Sequence, residues 1–141
     1  MGSSKIIRTI VQKLFPFIVL FGLYLISHGH LSPGGGFQGG VVIGTAIILL
    51  ALSYGIEKTE KKFKNRRLSM LEKLGILSFI LLGFLGIFTG HSFLGNFLPL
   101  GRPGQIASGG LMLLFNIAIG IEVAAGVSII FYALVKYRGE I

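Results

Sequence analysis

The 141-residue chain predicts an all-α integral membrane protein with four transmembrane helices. Three observations carry that reading. Hydrophobic residues make up 52% of the chain and charged residues only 13%, against about 25% charged in a soluble domain, and the mean hydropathy is +0.83. Four apolar runs are too long and too numerous to be wrapped by so little polar surface. The basic residues are also distributed as a membrane topology requires. With four spans, the amino terminus, the 57–73 connection and the carboxyl terminus share one side, which holds every Lys and Arg except Arg102. Because cytoplasmic segments carry the excess of Lys and Arg, both termini are expected inside.

The spans are expected at about 15–31, 38–56, 71–90 and 108–135, within a single membrane domain. A straight helix needs about 20 residues to cross the hydrocarbon, so the shorter runs must borrow flanking residues, with Lys13 and Lys73 snorkelling to the interface. Before the first span, Ile6, Ile7, Ile10, Val11 and Leu14 recur at helical spacing opposite Arg8, Thr9, Gln12 and Lys13, which predicts a short amphipathic interfacial helix. A cleaved signal peptide is disfavoured, since no small-x-small site follows the first apolar stretch. Gly2 is followed by Ile6 where a myristoylation motif has Ser or Thr, so no lipid anchor is inferred.

The net charge of +8 does not point to nucleic acid, because its placement is topological. Lys58, Lys61, Lys62, Lys64, Arg66, Arg67 and Lys73 crowd one connection between two apolar runs. Glu57 to Lys61 and Glu60 to Lys64 are spaced i to i+4, as a helical extension of the second span would place them. Positive-inside anchoring and contact with anionic lipid explain this stretch. Cysteine is absent, which removes disulfide and thiolate chemistry.

The first outer connection is the most unusual segment. Gly34, Gly36 and Gly39 formally satisfy G-x-G-x-x-G, with Glu57 downstream, but the segment before them is a Leu- and Phe-rich apolar run, not a strand of a βαβ unit. Dinucleotide binding is therefore excluded. The glycines instead allow a sharp turn and close backbone approach to another helix or subunit. Pro33, Gly34, Gly35, Gly36, Phe37, Gly39, Gly40 and Gly44 are assigned to helix or subunit packing, with the turn on the outer face structured by Pro33 and Phe37.

In the last span Glu122 is an intramembrane carboxylate. A charge at that depth costs about 2.5–3.5 kcal/mol on insertion scales, and such residues commonly mark an ion or proton path. Ala118, Glu122, Ala125 and Gly126 share one side of the helix. Asn116, Gly120, Ala124 and Ser128 form a second small-residue stripe, so both faces are expected to pack against neighbours. Asn116 and Gly120 are read as helix-packing residues. An interhelical hydrogen bond is the plainer role for Glu122. His28, His30 and His91 all lie at outer span ends and are candidates for the same path. Hydrogen bonding at an interface is their plainer role, and no further ligands stand nearby to make a metal site. No nucleophile, base and orienting group fall together, so neither an enzyme nor a cofactor is expected.

The run Ser27-His28-Gly29-His30-Leu31-Ser32-Pro33-Gly34-Gly35-Gly36-Phe37-Gln38-Gly39-Gly40 resembles the GH-x-x-PGGGF-x-GG signature of the MnhB-type family, the B subunit of Mrp multi-subunit Na⁺/H⁺ antiporters and the equivalent subunit of membrane-bound hydrogenase-type complexes. The resemblance implies a non-catalytic subunit in a prokaryotic plasma membrane, with other membrane subunits, Na⁺, H⁺ and lipid as its partners. Antiporter members often carry Phe-Asp before a Gly near the start of the last span, where this chain reads Phe115-Asn116-Ile117-Ala118. Asn cannot exchange a proton, and the carboxylate at Glu122 leans toward the redox-complex relatives. Two other readings stay open: a small homo-oligomeric transporter built around one membrane Glu per chain, and a purely structural spacer.

Overall fold

The computed structural model describes residues 4–31, 35–99, 101–102 and 109–139. Among these residues all regular structure is helical, in the order α1 (Lys5–Ser27), α2 (Gly36–Tyr54), α3 (Ile56–Lys62), α4 (Asn65–Phe88) and α5 (Leu111–Arg138). Four of the five, all but α3, are long and apolar enough to cross a membrane.

The amphipathic amino-terminal segment is not a separate element. It is the first part of α1, which runs unbroken through Pro16 from a Ser4 cap whose Oγ accepts the Ile7 N–H at 3.4 Å. One missing N–H and fixed φ at Pro16 are tolerated in an apolar helix whose neighbours restrain it. Tertiary contacts hold this first part in place. Arg8 Nε donates to the Ser53 carbonyl at 3.3 Å, and the Arg8 guanidinium lies 5.9 Å from the Tyr54 ring centroid. The Tyr54 hydroxyl lies 3.2 Å from both the Arg8 carbonyl and Gln12 Oε1.

The basic connection is also more structured than an extension of the second span. Gly55, at φ +92° and ψ +151°, lies in a region of backbone space open essentially to glycine alone. It ends α2 and redirects the chain into α3. After Phe63 and an extended Lys64, α4 begins at Asn65, so the helix starts about six residues before the expected span and takes in Arg66 and Arg67 as well as Glu72 and Lys73. At 24 residues α4 is roughly 36 Å long, more than the roughly 30 Å hydrocarbon thickness, which leaves its charged first turns at the interface.

The main helix interfaces are α2 on α5, α1 on α2 and α4 on α5, with a lesser contact of α1 on α5. Helices α2 and α5 are therefore central, while α1 and α4 flank them and present most of the exposed Leu, Ile and Phe side chains. Toward the carboxyl-terminal end of α5, Ile47, Ala51, Leu68, Ala125 and Tyr132 form a buried cluster, covered by Ile56, Phe63, Ile129 and Phe131. The same end is tied across to α3 by Lys136 Nζ, 2.9 Å from Glu60 Oε1. At the opposite end the segment after α4 folds back on its helix, with Phe93 over Gly83. There Asn96 Oδ1 accepts the Leu111 N–H at 3.1 Å, satisfying one of the open donors of the first turn of α5.

Candidate functional site

Much of the glycine-rich motif is helix rather than turn. Its second half, from Gly36, forms the first turns of α2, while Pro33 and Gly34 lie outside the described residues. Three glycines four residues apart put one face of α2 directly onto the α5 backbone. A Cβ added at Gly36 would sit 2.3 Å from the Asn116 carbonyl oxygen, one at Gly40 2.7 Å from that of Gly120, and one at Gly44 3.2 Å from that of Ala124. The stripe Asn116, Gly120 and Ala124 is therefore the α5 side of a small-residue interface spanning just over two turns. Gly39 serves the neighbouring interface, where an added Cβ would lie 2.6 Å from the Gly22 carbonyl of α1. Phe37 is 61% exposed and points away from these contacts.

Asn116 closes this interface at the start of α2. It is 8% exposed, and its Oδ1 accepts the Gly36 N–H at 3.4 Å. The side chain lies between Gly29 and Gly35, where a Cβ would meet its amide at 2.6 Å and 3.3 Å respectively. Gly35 N–H is in turn satisfied by Gln38 Oε1 at 2.8 Å. Among the described residues Asn116 Nδ2 has no hydrogen-bond partner.

The other face of α5 meets α4. A Cβ at Gly75 would lie 2.9 Å from Glu122 Cβ and 3.0 Å from the Ala118 carbonyl, so Glu122 leaves α5 where the two helix backbones come close together. Glu122 is half-buried. A second carboxylate shares this seam: Glu72 Oε1 lies 3.5 Å from the position a Cβ at Gly126 would take. The helices are antiparallel, so Glu72 stands about one turn, roughly 5 Å, from the level of Glu122 toward the end that carries α3. Among the described residues the one ion pair is Lys136 with Glu60, so within that set neither acid is paired with a cation. Glu72 falls where the 57–73 connection overlaps the span expected at about 71–90, and hydropathy alone gave it no role. Leu68, Leu71, Glu72 and Gly75 already keep helical spacing, and that periodicity is the signal that extends α4 backward.

The histidines do not join this seam. The His28 ring stacks on Tyr24 with centroids 4.3 Å apart, and its Nδ1 is 3.3 Å from the Tyr24 carbonyl. His30 lies against Gly109. His91 is exposed, its Nδ1 3.5 Å from Thr89 Oγ1. Among the described residues no group of three His, Asp or Glu side chains is arranged to hold a metal ion. Chemically, the α4·α5 seam offers two carboxylates with glycine opposite each, able to accept protons or approach a cation.

Four long apolar helices, joined by glycine contacts, define a multi-pass helical membrane protein. Residues 6–129 match the family described as a domain related to the MnhB subunit of Na⁺/H⁺ antiporter, and the chain belongs to that family. Among its relatives, an uncharacterized protein of Methanocaldococcus jannaschii is 35% identical over 131 residues, 89% of this chain and 50% of that protein. A Staphylococcus aureus protein named as antiporter subunit mnhB2 is 32% identical over 99 residues, 69% of each chain. A chain in the structure of the membrane-bound sulfane sulfur reductase, an archaeal respiratory membrane complex, superposes with a TM-score of 0.77 at 34% identity, covering 93% of this chain and 57% of that one. The chain thus spans about half the length of the archaeal relatives it matches.

Proposed function

We propose that the chain is a non-catalytic membrane subunit of a multi-subunit cation/proton antiporter module exchanging Na⁺ for H⁺, either alone as an antiporter or within a membrane-bound respiratory complex. Membership of the MnhB-related family supports this reading, as does the fold shared with a subunit of an archaeal respiratory complex. The module sits in the cell membrane with both chain ends on the cytoplasmic side, where the positive-inside bias puts them.

The observation that carries the ion-path part of the reading is the placement of Glu122 at the α4·α5 seam, opposite Gly75. An intramembrane acid held against protein can be solvated by a few waters and take part in a relay, whereas one facing lipid cannot. Glu72, a turn nearer the cytoplasmic end, supplies a second station. The same residues are consistent with tight packing alone, and one substitution separates the roles. Glu122→Gln, made in the native complex, is expected to leave the subunit co-purifying with its partners while Na⁺-driven proton movement in inverted vesicles falls at least about tenfold, as for loss of a relay group. Full activity with normal assembly makes the residue structural and removes it from the path.

A further inference from the structure

The turn at Gly55 creates a second polar site, remote from the glutamates. Because Gly55 swings α3 away from the α2 axis, Lys58 and Lys62, one helical turn apart, come back over the end of α2. With Gln12 of α1, Leu50 and Tyr54 of α2, and Thr59 of α3 they line a cavity of about 270 Å³. Its lining holds two lysines and no carboxylate. Among the described residues no carboxylate forms an ion pair with either lysine: the one ion pair joins Glu60 to Lys136 at 2.9 Å. Arg8 adds positive charge beside the site, fixed by its bond to Ser53 and its position over the Tyr54 ring.

Several lining groups are held in place. Thr59 is 3% exposed and its Oγ1 donates to the Gly55 carbonyl at 3.0 Å, which locks the first turn of α3. The Tyr54 hydroxyl is anchored to α1 through Arg8 and Gln12. The floor is apolar: Leu50 lies one turn deeper along α2 than Tyr54, the last residue of that helix. A cavity at the end of a membrane helix, cationic at the rim and apolar below, matches a group that is anionic at one end and greasy at the other.

We propose that this cavity binds a phosphate group, supplied by the headgroup of an anionic membrane phospholipid, with Lys58 and Lys62 as its cationic ligands and Gln12 as a neutral donor. Charge-assisted hydrogen bonds from the two ammonium groups hold the phosphate oxygens, and the glycerol end rests toward Leu50. The bound lipid thereby clamps α3 to α1 and α2.

The test uses the full-length chain in nanodiscs of phosphatidylcholine doped with phosphatidylglycerol, with retained lipid read by native mass spectrometry. The wild type is expected to keep phosphatidylglycerol in preference to phosphatidylcholine. The double variant Lys58→Gln with Lys62→Gln is expected to lose that preference by about tenfold, as for removal of two charge-assisted hydrogen bonds to the phosphate oxygens. Lys61→Gln with Lys64→Gln removes the same charge from exposed positions outside the cavity and is expected to keep the preference. Equal loss in both pairs reduces the effect to bulk charge and overturns the site. Retention of inorganic phosphate in pure phosphatidylcholine discs, abolished by the first pair alone, transfers the cavity to a soluble phosphate and overturns the lipid assignment. Circular dichroism is expected to show all variants folded, since the four lysines are exposed.

Discussion

Single atoms decide what the small residues of this chain do. Gly40 and Gly126 both sit on membrane helices, and by composition they are interchangeable. Their surroundings differ. A Cβ at Gly40 would be 2.7 Å from the Gly120 carbonyl and 2.8 Å from Val123 Cβ, neither of which can rotate away. At Gly126 the nearest atom is the mobile end of Glu72, at 3.5 Å. Gly40→Ala is therefore expected to force α2 and α5 apart and to cost about 1–3 kcal/mol, as overpacking does. Gly126→Ala should be neutral or slightly stabilising, since Ala favours helix over Gly by up to about 1 kcal/mol. Thermal unfolding in detergent should move in opposite directions, or move only for Gly40. A similar fall in both would mean that generic glycine flexibility, not close approach, is what the interface needs.

At the scale of elements, the residues that break helices matter as much as those that pack them. Gly55 has no atom within 4 Å of the place its Cβ would occupy, so space does not constrain it; conformation does. Its φ of +92° with ψ of +151° strains any other residue by about 1–3 kcal/mol. Gly55→Ala is thus expected to destabilise the α2–α3 junction despite the open surroundings, and limited proteolysis should find α3 cut faster than in the wild type. Unchanged cleavage would show that the junction relaxes without loss.

This junction also marks where sequence reading reached its limit. Spacing of small residues placed Asn116, Gly120 and Ala124 on one side of α5 and Glu122 on another, because helical periodicity alone fixes relative angle. Hydropathy cannot report a backbone dihedral, so the i to i+4 charge pairs at Glu57–Lys61 and Glu60–Lys64 read as a continuation of α2 although Gly55 interrupts it. The same limit left Glu72 without a role at the edge of the third span, expected at about 71–90. Its charge and that of Lys73 lowered the local hydropathy, while the Lys64 break that starts α4 is set by backbone geometry. The amino-terminal segment merged into α1 for a third reason: bonds from Arg8 and Tyr54, 46 residues apart, are invisible to any local window.

At the scale of the whole molecule, charge predicts which way the helical unit faces. Its two ends are chemically unlike. One carries α3, the start of α4, both termini of the described helices and the cavity with Lys58 and Lys62; the other carries the glycine motif, the segment after α4 and Arg102. Moving the first end across a membrane would mean translocating twelve of the thirteen Lys and Arg residues of the chain, all except Arg102, against the bias that retains basic segments in the cytoplasm. The chain contains no cysteine, so single cysteines report without a background. Lys61→Cys on α3 and Tyr137→Cys at the end of α5 are expected to resist a membrane-impermeant maleimide in intact cells and to react after permeabilisation. Ser92→Cys, exposed beyond α4, should react in intact cells. Labelling of residue 61 from outside reverses the orientation, and with it the direction in which Glu72 precedes Glu122 along the seam. Opposite labelling of residues 61 and 137 contradicts the antiparallel pairing of α4 with α5 within one membrane, because those two positions are joined to the same end of the bundle through Glu60 and Lys136.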